Sequence, residues 1–272
     1  MSSTSKSILT VLGSNIVSML VGIVGGFLVP RFLGITEYSV FKTYGLYLSF
    51  VGLFSLGYVD GIYLKYGGIS KDQVSRGTLQ SETWFFVIFQ LAAGSLVTIF
   101  GILSGQQLVF FIGLTVFAHN MIGFYRLFYQ AVGDFRTYAF INAFQPTINL
   151  ILIILLIFAF RIRSGIAFVI ASVALDYIVF AFLFSRHFSR LSGASGLRFL
   201  KQGISHIKIG IFIMVGNLSS TFFYSMDRWF VKILLRTEDF AFYSFATSMM
   251  HMVLILITSV AMTFYPMLAR RH

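Results

Sequence analysis

Apolar residues come along this chain in long blocks, without the strict alternation of a half-buried strand, and short polar or glycine-bearing breaks separate the blocks. Crossing a bilayer takes roughly 20 mostly apolar residues in a helix. The pattern predicts eight such spans: Ile8–Pro30, Ser39–Val59, Trp84–Leu103, Leu108–Tyr125, Tyr138–Phe160, Gly165–Ser185, Ile207–Leu235 and Ala241–Tyr265. The expected fold is therefore all-α, a polytopic membrane helix bundle of about eight transmembrane helices. The first block is longer than the apolar core of a signal peptide and only Lys6 precedes it, so it is read as a retained helix. The longest predicted connections, Asp60–Thr83 and the basic stretch Arg186–His206, are too short to form an extramembrane domain.

Composition narrows the class further. Of 272 residues 57% are hydrophobic and only 11% charged, where a soluble domain carries about 25% charged residues. A water-soluble globule and a disordered chain are both excluded. With no cysteine, a disulfide scaffold, thiol catalysis, thiolate zinc and iron–sulfur chemistry go as well. The net charge of +11 speaks of topology and anionic lipid, with no nucleic acid implied. Placing the N-terminus in the cytoplasm puts 13 of the 20 basic residues on the cytoplasmic side: Lys6, Lys65, Lys71, Arg76, Arg126, Arg136, Arg186, Arg190, Arg198, Lys201, Lys208, Arg270 and Arg271. Both termini are then predicted to be cytoplasmic.

A repeat underlies the pattern. Ser14-Asn15-Ile16-Val17-Ser18 returns as Gly216-Asn217-Leu218-Ser219-Ser220 at an offset of 202, and Ile35-Thr36-Glu37-Tyr38-Ser39-Val40-Phe41 returns as Arg236-Thr237-Glu238-Asp239-Phe240-Ala241-Phe242 at an offset of 201. Helices one and two thus correspond to seven and eight, in the same membrane direction, as expected of a transporter built from duplicated halves.

Three further motifs stand in order along the chain: Pro30-Arg31-Phe32-Leu33-Gly34 followed by Glu37-Tyr38; Arg126-Leu127-Phe128-Tyr129-Gln130-Ala131-Val132-Gly133-Asp134-Phe135 with Ala139 and Asn142; and Asp227-Arg228 followed by Tyr243-Ser244-Phe245-Ala246, Pro266 and Leu268. In these the chain resembles the polysaccharide (Wzx-like) flippases of the multidrug/oligosaccharidyl-lipid/polysaccharide exporter superfamily. The resemblance implies a transporter of the bacterial inner membrane. Its substrate would be a lipid-linked oligosaccharide of the polyprenyl pyrophosphate type, flipped by alternating access for O-antigen, capsule or exopolysaccharide biosynthesis. Family members have two six-helix lobes. By that measure residues 1–206 make a full first lobe of six helices and 207–272 begin a second with two, so either the chain is a truncated or split product or a second polypeptide supplies the missing helices.

Polar groups inside predicted spans are costly in lipid and mark functional positions. Two acids, Asp176 and Asp227, fall inside spans and are candidates for ion coupling. Arg228, Lys232 and Arg236 recur at helical spacing and suit a pyrophosphate, or else snorkel to outer headgroups. Asn142, Gln145 and Asn149 share a face of helix five, as a sugar-contacting stripe or as interhelical hydrogen bonds, and Pro146 among them frees the Asn142 carbonyl. Gly25-Gly26, which the repeat aligns with Asp227-Arg228, are expected to permit close helix packing. His119 and His251 lack metal-ligand spacing and read as packing or polar bridges. No catalytic constellation, metal set, cofactor motif or nucleotide loop appears, so a transporter is expected and an enzyme is not. The rival readings are a multidrug-type ion-coupled exporter, a membrane-embedded glycan-processing enzyme, and a non-transporting remnant.

Overall fold

A computed structural model describes the backbone of residues 3–188, 198–251 and 253, and side chains over 9–185, 203–251 and 253. Every α-helix runs in the order α1 (Ser3–Phe32), α2 (Ile35–Leu48), α3 (Tyr58–Tyr66), α4 (Arg76–Leu103), α5 (Gln107–Ala131), α6 (Phe135–Phe158), α7 (Gly165–Phe188), α8 (Arg198–Leu234) and α9 (237–251). No strand occurs among the described residues. Among the described residues six helices are long and apolar enough to cross a membrane, or seven if the bent pair of α2 and α3 is counted as one broken span. This is a multi-pass membrane protein. Much of the predicted eighth span, Ala241–Tyr265, lies outside the described residues.

Three expectations change. The second span does not run unbroken over Ser39–Val59: a short 3-10 turn over Val51–Ser55 follows α2, and the two halves meet at 61°. The sequence carries the cause at Gly57, whose φ of 77° follows a φ of 48° at Leu56. Two left-handed residues in succession cannot continue an α-helix, and glycine bears the second at no steric cost. The predicted loop Asp60–Thr83 shrinks to residues 67–75, because α3 and α4 extend into it. Likewise α8 starts at Arg198, within the stretch expected to be a basic loop. At 1.5 Å per residue α4 is about 42 Å long, more than the ~30 Å apolar core of a bilayer, so its polar first turns stand outside that core.

Exposed carbonyls at the break would be expensive in a membrane. Two buried amides meet them. Asn120 donates to the Val51 carbonyl at 3.2 Å and Gln90 to the Phe54 carbonyl at 2.9 Å, while Asn120 also donates to the Gln90 side-chain oxygen at 2.7 Å.

Around this break the core is aromatic. Tyr58 of α3 stacks on Phe86 of α4 at 4.8 Å, and Phe86 meets Phe124 of α5 at 5.5 Å; all three are fully buried. A second cluster, Val29, Tyr38, Ile153 and Phe168, joins α1, α2, α6 and α7. The connections sort onto two ends. At one, Lys71 donates to Asp134 at 2.7 Å and the Gly68 N–H to the Ala131 carbonyl at 3.4 Å. At the other, the Gly165 N–H donates to Glu37 at 2.6 Å, so the motif carboxylate sits on the positive end of α7. Both copies of the repeat place their Thr-Glu pair in the first turn of a helix after a two-residue link, at α1–α2 and at α8–α9. Pro146 acts as its position predicts: the freed Asn142 carbonyl of α6 accepts from Ser18 Oγ of α1 at 2.8 Å.

Candidate functional site

The break in the second span opens a cleft of about 330 Å³. Its walls are α2 and the 3-10 turn, α3, α5 and α6 on one side, and α8 on the other through Met214, Asn217, Leu218 and Thr221. Polar groups converge on it from four helices: Ser49 and Asp60, His119 and Arg126, Gln145, and Asn217. Across the cleft Asn217 Nδ2 stands 3.4 Å from Asp60 Oδ1, a link between α8 and α3.

Behind the wall lies Asp176 of α7, almost fully buried. Its Oδ1 accepts from Gln145 Nε2 at 2.6 Å, and its Oδ2 lies 3.2 Å from His119 Nδ1. The acid itself does not line the cleft; His119 and Gln145 do. Three helices are thus joined through one carboxylate, and the two side chains that hold it present their remaining atoms to the cleft. Chemically, this is a space for a hydroxyl-rich or amide-bearing group, with one acid, one base and a titratable imidazole at its edge.

A second polar concentration lies toward the end where α3 and α4 meet. Glu82 of α4 is 1% exposed. Its carboxylate takes an ion pair from Lys65, a hydrogen bond from the Tyr66 hydroxyl at 2.7 Å, and contact with His206 Nε2 of α8 at 2.8 Å. The seam between α3 and α8 beside it is built on glycine. A Cβ at Gly61 would stand 2.2 Å from the His206 carbonyl oxygen, and one at Gly210 would stand 1.9 Å from that of Gly57. Gly57 and Gly61 form a G-x-x-x-G pair, the spacing that lets helix backbones approach in membranes. The glycine signal read from Gly25-Gly26 belongs here instead: a Cβ on Gly25 would meet only Leu150, at an ordinary 3.7 Å.

The expected site residues separate. Of the amides on α6 only Gln145 reaches the cleft; Asn142 donates to Asn15 of α1 at 3.0 Å, and Asn149 accepts from Ser172 of α7 at 3.4 Å. Asp227 accepts from the Tyr243 hydroxyl at 2.7 Å and from the Arg228 N–H at 2.7 Å. The three bases at the end of α8 point to different neighbours. Arg228 donates to Ser225 at 3.1 Å, Lys232 lies over the Phe240 ring at 5.2 Å, and Arg236 is exposed in the link to α9. Helix α8 continues past Arg228 to Leu234, so Arg228 and Lys232 lie within it.

Sequence reading missed Asp60, Asn120, Gln90 and Glu82. Ending the second span at Val59 put Asp60 in a loop, and beginning the third at Trp84 did the same to Glu82. Extending the helical pattern to Arg76 would have revealed a carboxylate inside a helix. Among the described residues no group of His, Asp and Glu has the makings of a metal site.

Comparison with protein families, with curated proteins and with solved structures finds no match.

Proposed function

We propose that this protein is a flippase-type transporter of the bacterial inner membrane, moving a lipid-linked oligosaccharide by alternating access, with both termini in the cytoplasm. The observation that carries the reading is the polar cleft at a broken membrane span, walled on one side by α2, α3, α5 and α6 and on the other by α8. Interrupted spans and repeat interfaces are where transporters place their substrates, and the ordered motifs of the chain add the substrate class. In this reading Asp60, Gln145 and Asn217 hold sugar hydroxyls, and Arg126 stands at the rim. Asp176 keeps His119 and Gln145 in place. The bases Arg228, Lys232 and Arg236 serve the diphosphate outside this cleft.

A second reading, a multidrug-type exporter coupled to an ion, draws on the buried Asp176 and its imidazole partner. One experiment separates the two. A strain lacking its own flippase is given the chain, together with any adjacent reading frame, and surface glycan is measured beside drug resistance. Glycan export is expected, falling roughly tenfold in Asp60→Asn at equal protein level, a loss equivalent to about 1.4 kcal/mol of binding. No glycan export overturns the flippase reading, and drug resistance that depends on Asp176 would favour the exporter.

A further inference from the structure

Two cations near the α2–α8–α9 junction, Lys42 and Arg228, make no ion pair among the described residues. Lys42 of α2 donates to Ser248 of α9 at 2.8 Å and lies 5.4 Å from the Tyr38 ring centroid. Arg228 has a buried Nε with no hydrogen-bond partner, and the Asp227 carboxylate beside it accepts from Tyr243 and from the Arg228 N–H. An ammonium held in a membrane span without an ion partner is costly, and an anion beside it relieves that cost.

The space for that anion adjoins Lys42. A cleft of about 350 Å³, separate from the one at the broken span, runs between α1, α2 and α9. Its polar lining is Ser18, Tyr38, Lys42, Ser248 and His251, with no carboxylate among them. Tyr38 is 4% exposed, and its buried hydroxyl has no hydrogen-bond partner. The floor is hollow because α1 presents Gly22, Gly25 and Gly26 there; a Cβ on Gly22 would touch nothing within 4 Å. A Cβ on Gly25 would meet only Leu150, at an ordinary 3.7 Å, so neither Gly22 nor Gly25 is required by a close helix approach. They leave room opposite a lysine.

We propose that Lys42, Tyr38 and Ser248 form a binding site for a phosphate group, and that its occupant is the headgroup of an anionic membrane lipid. The ammonium supplies a point charge, and the Tyr38 and Ser248 hydroxyls supply donors to the phosphate oxygens. Apolar walls from Met19, Ile23, Phe41 and Ile153 suit the acyl or glycerol part of the same molecule. This inference does not rest on the transport reading and holds whether or not the chain flips a glycan.

The protein carries its own reporter. Trp229, next to Arg228, stacks on Tyr47 at 5.4 Å, and the chain has two tryptophans, so Trp84→Phe leaves Trp229 alone. In nanodiscs of phosphatidylcholine, that variant is titrated with short-chain phosphatidylglycerol, with short-chain phosphatidylcholine, and with inorganic phosphate. A saturable change in Trp229 emission is expected with phosphatidylglycerol and not with phosphatidylcholine. Lys42→Met should weaken it at least tenfold and Lys42→Arg should restore it. Gly22→Leu, which fills the cleft without touching a charge, should abolish it while helicity and thermal midpoint stay unchanged. Saturation by inorganic phosphate at equal affinity would keep the site and assign it to a free anion. No saturable response, or one that Lys42→Met and Gly22→Leu leave intact, overturns the proposal.

Discussion

The two ends of α8 treat charge in opposite ways. Near its start, His206 joins Lys65 and Tyr66 around the Glu82 carboxylate, so a fully buried acid has a partner for every lone pair that matters. Near its finish, neither Arg228 nor Lys42 of the neighbouring α2 makes an ion pair among the described residues. The same helix, packed against the same bundle, is fastened at one end by charges the protein neutralises itself and left at the other with charges it does not. A buried ionic cluster holds elements together only when it is complete. The complete one reads as structure and the incomplete one as a place for a visitor.

Removing the acid should have the largest effect. Glu82→Ala strands Lys65, Tyr66 and His206 together, and the expected loss is about 3 kcal/mol, at the low end for breaking a buried pair because Lys65 is one-third exposed. The thermal unfolding midpoint in detergent measures it, and a shift no larger than that of Lys42→Met would erase the contrast between the two ends. Next comes the glycine seam. Gly61→Ala should cost about 2 kcal/mol by overpacking, whereas Gly216→Ala, further along α8 with nothing within 4 Å of its Cβ, should be neutral or stabilising by about 0.5 kcal/mol. Equal effects from the two alanines would mean that α3 and α8 do not approach so closely.

The smallest effect tests the same Lys–carboxylate chemistry outside the membrane-spanning helices. Burial tends to raise the Asp134 carboxyl, but the Lys71 ammonium and the Thr137 N–H more than offset it, and the group titrates below its ordinary value. A depressed carboxyl stabilises the fold above the unfolded pKa of about 3.9 and loses that contribution as pH falls through the lower, folded value. Because Lys71 is half exposed, the pair is worth only about 0.5 kcal/mol. Asp134→Asn keeps the helix cap to Thr137 and should lower stability by that amount at pH 7. The gap between variant and parent should close as the pH drops below about 4, and a gap independent of pH would dissociate the pair from stability.

Much of this architecture was legible in the sequence, because lipid imposes one rule on every span and the rule leaves a long apolar run. The starts of α5 and α7 followed from it directly, although both helices run on past the expected ends at Tyr125 and Ser185; the carbonyl released by Pro146 followed from the proline itself. The break at Val51–Ser55 did not, since the residues there are as apolar as a helix and the amides that permit it, Gln90 and Asn120, come from other helices. The site was half visible for the same reason. Asp176 announces itself as an acid within an apolar run, and Gln145 as an amide. Their meeting, and the failure of Asn142 and Asn149 to join them, depends on how α6 is turned between α1 and α7. Spacing along one helix fixes a face; it does not say which neighbour that face meets.

Ser18 gives the bundle a further property. Its hydroxyl carries a single proton and lies within reach of two carbonyls, that of Ser14 in its own helix at 3.0 Å and that of Asn142 across the gap at 2.8 Å. If α1 moves away from α6, the hydroxyl turns to Ser14 and is never left bare, and the whole penalty falls on the Asn142 carbonyl above Pro146. At this one contact the cost of separation is thus one-sided, borne by the α6 carbonyl and not by the α1 hydroxyl.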